Sequence, residues 1–167
     1  MPNRSITRAV ALAALVAALG AVPVAAAAPP TPPRAVQEFM TEPRFVLSLP
    51  DGGGAWTVWS GLVGPDQWYA LSSPRAGRVT GAACPDPSRP LTVCFSGGVL
   101  RGRSVVVGRV TAATVAAFDD RGRRLRSIRR GDSYLVVFGG SPKRVTVVGR
   151  DARKRVVARR TIVYEPR

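Results

Sequence analysis

Apolar positions along the chain fall into two textures. Ala9 to Leu19 is an unbroken apolar run of eleven residues. From Arg44 onward, short apolar or alternating runs are cut apart by Gly, Pro, Ser and Asp. The first run follows Arg4 and Arg8, is broken by Gly20 and Pro23, and leads into a string of alanines. A short positive start, an apolar centre and a small-residue end form the pattern of a secretory signal peptide. Its spacing predicts a cut after Ala27, with Ala26 and Ala28 as neighbouring alternatives. Read as an uncleaved anchor, Ala9 to Ala28 spans 20 residues, but alanine gains little on transfer to lipid and Gly20 and Pro23 lie inside the span. No cysteine lies near the cut for a lipid anchor, and no membrane span is expected after cleavage. The pattern therefore predicts a protein that is secreted or associated with the cell envelope.

Residues 28–43 read as a Pro-rich tether (APPTPP) followed by one or two helical turns over Arg34 to Glu42, stopped by Pro43. Beyond them the punctuation is that of an all-β chain. Strands are predicted over residues 45–49, 55–62, 67–71 and 91–96, with 72–90 as a long loop. Six more are predicted over 104–110, 114–118, 123–128, 134–138, 144–149 and 156–164. Ala-rich 111–118 has a helical rival, which Thr111, Thr114, Val115 and the following turn oppose. Thr114–Arg123 and Thr146–Arg155 match at five of ten positions. Both are predicted to be hairpins around an Asp-x-Arg-x-Arg turn.

Ten short strands at near-regular spacing predict an antiparallel β-sandwich. From Ser104 to Tyr164 the chain resembles the immunoglobulin-like sandwich modules of small secreted bacterial proteins. The Asp119–Gly122 hairpin, the entry Gly131-Asp-Ser-Tyr-Leu-Val136 and the Asp151-Ala152 turn carry that resemblance. It implies architecture, not activity. The expected organisation is a signal peptide at 1–27, a tether and helical turn at 28–43, a disulfide-containing β region at 44–100, and a basic immunoglobulin-like half at 101–167.

Cys84 and Cys94 lie ten residues apart across a Pro-rich loop. In an oxidising compartment they are expected to form a disulfide. The spacing does not fit a Cys-x-x-Cys redox pair, and no nearby Lys would activate a thiol.

Charge divides the chain. The formal net charge is +15. Residues 29–100 hold five arginines and five acids, whereas 101–167 hold 18 basic residues and five acids. Two clusters stand out: Arg121, Arg123, Arg124 and Arg126 with Arg129 and Arg130, and Arg150, Arg153, Lys154, Arg155, Arg159 and Arg160. If both hairpins share a sheet, these residues form a basic ridge able to bind phosphate, sulfate or carboxylate through guanidinium forks. Outside the cytoplasm the fitting partners are anionic wall polymers or lipid headgroups. A compositional reading competes, because 23 of the 25 basic residues are arginine and a solvated strand face must be polar. Nucleic acid fits poorly, since the basic half places no aromatics among its arginines for stacking.

Chemistry has little to work with. There is no histidine, which excludes a Ser-His-Asp triad, a Cys-His pair and an imidazole metal site. Gly52-Gly53-Gly54 lacks the Gly-Lys-Ser/Thr of a phosphate loop. Asp119, Asp120 and Asp132 are too few, and too close to arginines, for a calcium cage. Lys143 and Lys154 sit in turns unsuited to activating a serine. The expected function is a non-enzymatic binding or structural module that needs no cofactor or metal. The alternative is a protein–protein module that uses the neutral half, where Trp56, Trp59 and Trp68 lie. Along one strand Trp56 and Trp59 point to opposite faces, which leaves one of them available to stack on a sugar ring, but the favoured expectation is that the tryptophans form the core of this half.

Overall fold

A computed structural model describes residues 28–52, 54–73, 79–84, 89–100, 102–140 and 142–164. The predicted signal peptide lies outside the described residues. The chain runs as one short helix, α1 (Arg34–Phe39), then β1 (Thr41–Pro50), β2 (Ala55–Val63), β3 (Asp66–Ser72), β4 (Val79–Ala83), β5 (Leu91–Leu100) and β6 (Arg103–Val110). It continues through β7 (Thr114–Asp119), β8 (Arg124–Arg130), β9 (Ser133–Gly139), β10 (Arg144–Arg150) and β11 (Val156–Val163). Among the described residues no helix is long and apolar enough to cross a membrane.

All pairings are antiparallel. β1 to β4 form a four-stranded meander, and β5 to β11 form a seven-stranded sheet ordered β11-β10-β7-β8-β9-β6-β5. The two stack as a sandwich. The strands of the immunoglobulin-like stretch, β6 to β11, thus all lie in one sheet. The 100/101 boundary falls at the β5–β6 hairpin, inside that sheet.

Three apolar layers hold the fold. Between the sheets, Leu47, Leu49, Trp56, Val58, Tyr69 and Leu71 meet Val105, Val107, Leu135 and Val137. The seven-stranded sheet then curls around a second core of Val106, Val110, Tyr134, Val136, Phe138, Val145 and Val147, until its edge strands β11 and β5 touch. Strands β6 and β9 are therefore covered on both faces. That is why Tyr134-Leu-Val-Val-Phe138 is apolar without alternation.

The third core lies on the outer face of the meander. There Val36 and Met40 pack on Trp59 and Ala70, with Phe39, Phe45 and Trp68 around them. A six-residue helix has too few hydrogen bonds to persist alone, so this packing is what maintains α1. Phe39 meets Trp68 edge-on at 5.7 Å. The helix ends at Phe39 rather than reaching Glu42, because Met40 is already extended. Pro43 does not stop the helix. It sits within edge strand β1, beside a register shift and next to Glu42 at φ 49°, where a missing amide donor is tolerated.

The predicted loop at 72–90 is corrected by β4, whose Val79-Thr-Gly-Ala-Ala83 has little strand character of its own. It exists through pairing with β3. Gly81 allows this: a Cβ there would lie 2.5 Å from the Tyr69 carbonyl oxygen and 3.0 Å from the Phe39 ring.

The expected disulfide is present, with a Cα–Cα distance of 4.5 Å. Cys84 follows β4 at one edge of the meander and Cys94 lies in β5 at one edge of the other sheet, so the bridge staples the two layers. Converting both cysteines to serine is expected to lower stability by about 2–3 kcal/mol, the chain entropy of a loop this size. A shift of the urea midpoint would measure it, and an unchanged midpoint would refute it.

Candidate functional site

Each basic hairpin is built around an aspartate. In the β7–β8 turn, Asp119 Oδ1 accepts the amides of Arg121 (3.0 Å) and Arg123 (2.8 Å), and Oδ2 accepts Arg123 Nε at 2.7 Å. The β10–β11 turn repeats this: Asp151 accepts the Arg155 amide at 2.9 Å and Arg155 Nε at 2.8 Å. The left-handed residue of the turn is Gly122 (φ 75°) in one and Lys154 (φ 63°) in the other. The five-in-ten sequence match thus corresponds to one turn design used twice. Burial opposes ionisation of Asp119, but the Arg123 and Arg121 amides and the Arg123 guanidinium outweigh it and hold its carboxyl below the usual range.

Both hairpins lie on one sheet, but their turns lie at opposite ends, so the basic residues do not form one ridge. Residue pairing sets Thr114 of β7 against Arg150 and Asp119 against Val145. The β7–β8 turn therefore sits near the start of β10 and the β10–β11 turn at its end. Seven strand residues separate them by roughly 20 Å.

The register sorts the candidate arginines. Along β10, Val145, Val147 and Gly149 face the second core, so Arg144, Thr146, Val148 and Arg150 face outward. Pairing places Arg124 beside Phe118 and Thr146, Thr161 beside Thr146, and Arg159 beside Val148. One outer face thus carries Arg124, Arg144, Arg150 and Arg159 around Phe118, the buried Val148 and the Thr146 and Thr161 hydroxyls, which lie 3.2 Å apart. Arg144 was not singled out from sequence, although its even spacing from Arg150 was the available signal.

The other candidates are dispersed. Arg121 and Arg123 belong to one turn and Arg153, Lys154 and Arg155 to the other, with Arg123 and Arg155 committed to their aspartates. Arg126 points toward the meander, 3.9 Å from Asp51, which Arg103 shares at 3.5 Å. Arg160 pairs in register with the inward-facing Val147. Its charge reaches Tyr134, whose hydroxyl burial drives to a raised pKa despite that cation.

The four described aspartates of the basic half are engaged locally. Asp132 accepts Arg109 Nε at 3.0 Å and Ser133 Oγ at 3.0 Å. Burial opposes its ionisation too, but those bonds prevail and lower its pKa. Ser133 in turn meets the Tyr69 hydroxyl at 3.2 Å, a polar tie between the two sheets. Asp120 accepts the Lys143 amide at 3.3 Å. Among the described residues no three acids or cysteines gather as a metal site.

Beside the β7–β8 turn, the β8–β9 ladder stops at Arg126–Val137 while β8 pairs with β7 only through Leu125 and Arg124. The strands part there, leaving a cavity of about 360 Å³ lined by Arg121, Arg123, Arg124, Gly139 and Gly140 among others.

Trp56 and Trp59 are buried and offer no stacking platform. Trp56 lies between the sheets with Nε1 on Asp51 (2.8 Å), and Trp59 lies under α1 with Nε1 on Ser72 (2.9 Å). No protein-family model, curated protein or solved structure matches the chain.

Proposed function

We propose that the protein is an exported, non-enzymatic module that holds a polyanion, an anionic wall polymer or lipid headgroup layer, against the outer face of β7, β10 and β11. One observation carries this reading. Arg124, Arg144 and Arg159 share that face and make no ion pair with a described residue, because the nearby aspartates are spent on turns. Unpaired arginines on one face project a positive field, and their forks match phosphate, sulfate and carboxylate. The predicted leader and the disulfide support placement outside the cytoplasm. The immunoglobulin-like kinship of 104–164 belongs to the same proposal, as a stable sheet that displays the face. A protein–protein role for the neutral half draws no support from its tryptophans, two of which are buried.

Because any chain this basic adheres to an anionic resin, the test compares two variants of equal charge. One carries Ser at Arg144, Arg150 and Arg159. The other carries Ser at Arg44, Arg89 and Arg129, which lie off the face. On phosphocellulose the first should elute at clearly lower salt than the second. Co-elution would overturn the reading.

A further inference from the structure

We propose that the cavity at the β7–β8 turn is a discrete oxyanion site for one charged unit of such a polymer: a phosphate ester or carboxylate carried on a polyol or sugar residue. The inference rests on the reading above and narrows it to a place and a ligand size.

The site arises from topology. β8 belongs to two ladders, pairing with β7 through Arg124 and Leu125 and with β9 only from Arg126 onward, so Arg124 has no partner in β9 and Gly139 none in β8. The opening lies where the arginine-bearing face ends, and Arg124 belongs to both. Its volume, about 360 Å³, falls at the small end of ligand pockets, which hold roughly 300–1,000 Å³. That suits a single residue and not a length of chain.

The lining decides the sign of the ligand. Three arginines, Arg121, Arg123 and Arg124, line it together with two aspartates, Asp119 and Asp120. Both carboxylates are engaged within the protein, Asp119 by three donors and Asp120 by the Lys143 amide. The Arg123 side chain is bound to Asp119, but the guanidinium groups of Arg121 and Arg124 make no hydrogen bond or ion pair with a described residue. Two forks are thus left beside a polar hollow where a cation would meet like charge. Access is open as well: Gly122 (φ 75°) and Gly140 (φ 77°) shape the two turns at the rim, and neither position has an atom within 4 Å of where a Cβ would stand.

Titration calorimetry on the purified protein tests this with glycerol 3-phosphate, glucuronate and uncharged glycerol. At least one charged probe should bind where glycerol does not, and which one does identifies the oxyanion. Replacing Arg121 and Arg124 by Ser should weaken that probe by about tenfold or more, since each fork supplies charge-assisted bonds. Replacing both by Lys should weaken it less, because charge remains and the fork is lost. Replacing Arg153 and Lys154 by Ser, at the far turn, should leave it unchanged. Failure of both charged probes to bind, or equal loss in the near and far variants, would overturn the site. The phosphocellulose comparison leaves Arg121 and Arg124 intact. If it succeeds while the small probes fail, the cavity inference falls alone. If it fails, the polyanion reading itself falls.

Discussion

Replacing Gly108 by alanine should cost about 4 kcal/mol, a large share of the roughly 5–15 kcal/mol by which a domain is normally stable. Gly108 lies mid-strand in β6, paired with Val93 of β5 and Tyr134 of β9. A Cβ there would stand 2.5 Å from the Tyr134 hydroxyl oxygen and 2.6 Å from its ring, and would overlap the Thr92 carbonyl oxygen. None of these neighbours can retreat freely. The Thr92 oxygen is backbone in the adjacent strand, and Tyr134 is wholly buried with its hydroxyl donating to that oxygen at 3.1 Å. Overpacking alone costs about 1–3 kcal/mol, and leaving a buried hydroxyl unsatisfied adds about 1–3 kcal/mol. Gly97→Ala is the control. It lies in neighbouring β5, where a Cβ would meet nothing within 4 Å, and should be nearly neutral. Urea unfolding of the two variants measures the difference, and equal midpoints would contradict the packing described.

Trp59→Ala should cost about 3–5 kcal/mol, the usual range for emptying a buried tryptophan site. Trp59 is 2% exposed and is the largest of the fully buried side chains. It supports Val36 of α1 and Met40 just after it on one side, meets Phe45 edge-on at 6.0 Å, and donates to Ser72 Oγ. Its loss removes the floor on which α1 rests, so residues 34–40 should become protease-sensitive before the rest of the chain. Trp59→Phe keeps most of the floor and loses the Ser72 bond, for about 1 kcal/mol. Global unfolding without early cleavage at the helix would show that α1 is held otherwise.

How much could be read in advance differs by element. Strands with β-branched or aromatic runs, such as β2, β6 and β9, were legible because their residues favour extended backbone whatever they pack against. β4 was not, since nothing in Val-Thr-Gly-Ala-Ala distinguishes it from its loop until β3 supplies partners. The Asp-x-Arg-x-Arg turns were legible as turns, because aspartate caps its own backbone locally. The arginine face was only half legible. Arg124 and Arg159 stood within visible clusters, but clusters in sequence gather at turns, and a face is assembled from alternate residues on different strands. Arg150 stood at the margin of the second cluster, and Arg144 joins the face through register alone. The same register separates the two turns and turns Arg126 toward Asp51.

Local preferences along the chain settled that it is all β, where most strands and turns lie, which cysteines pair and which half carries the excess charge. All of these depend on neighbours in sequence or on counts. Strand order, the helix that buries the second tryptophan face, the sharing of β8 between two ladders and the cavity at their parting depend on contacts between residues far apart in the chain. Those contacts form only when whole sheets are in place, so the tertiary structure alone decided them.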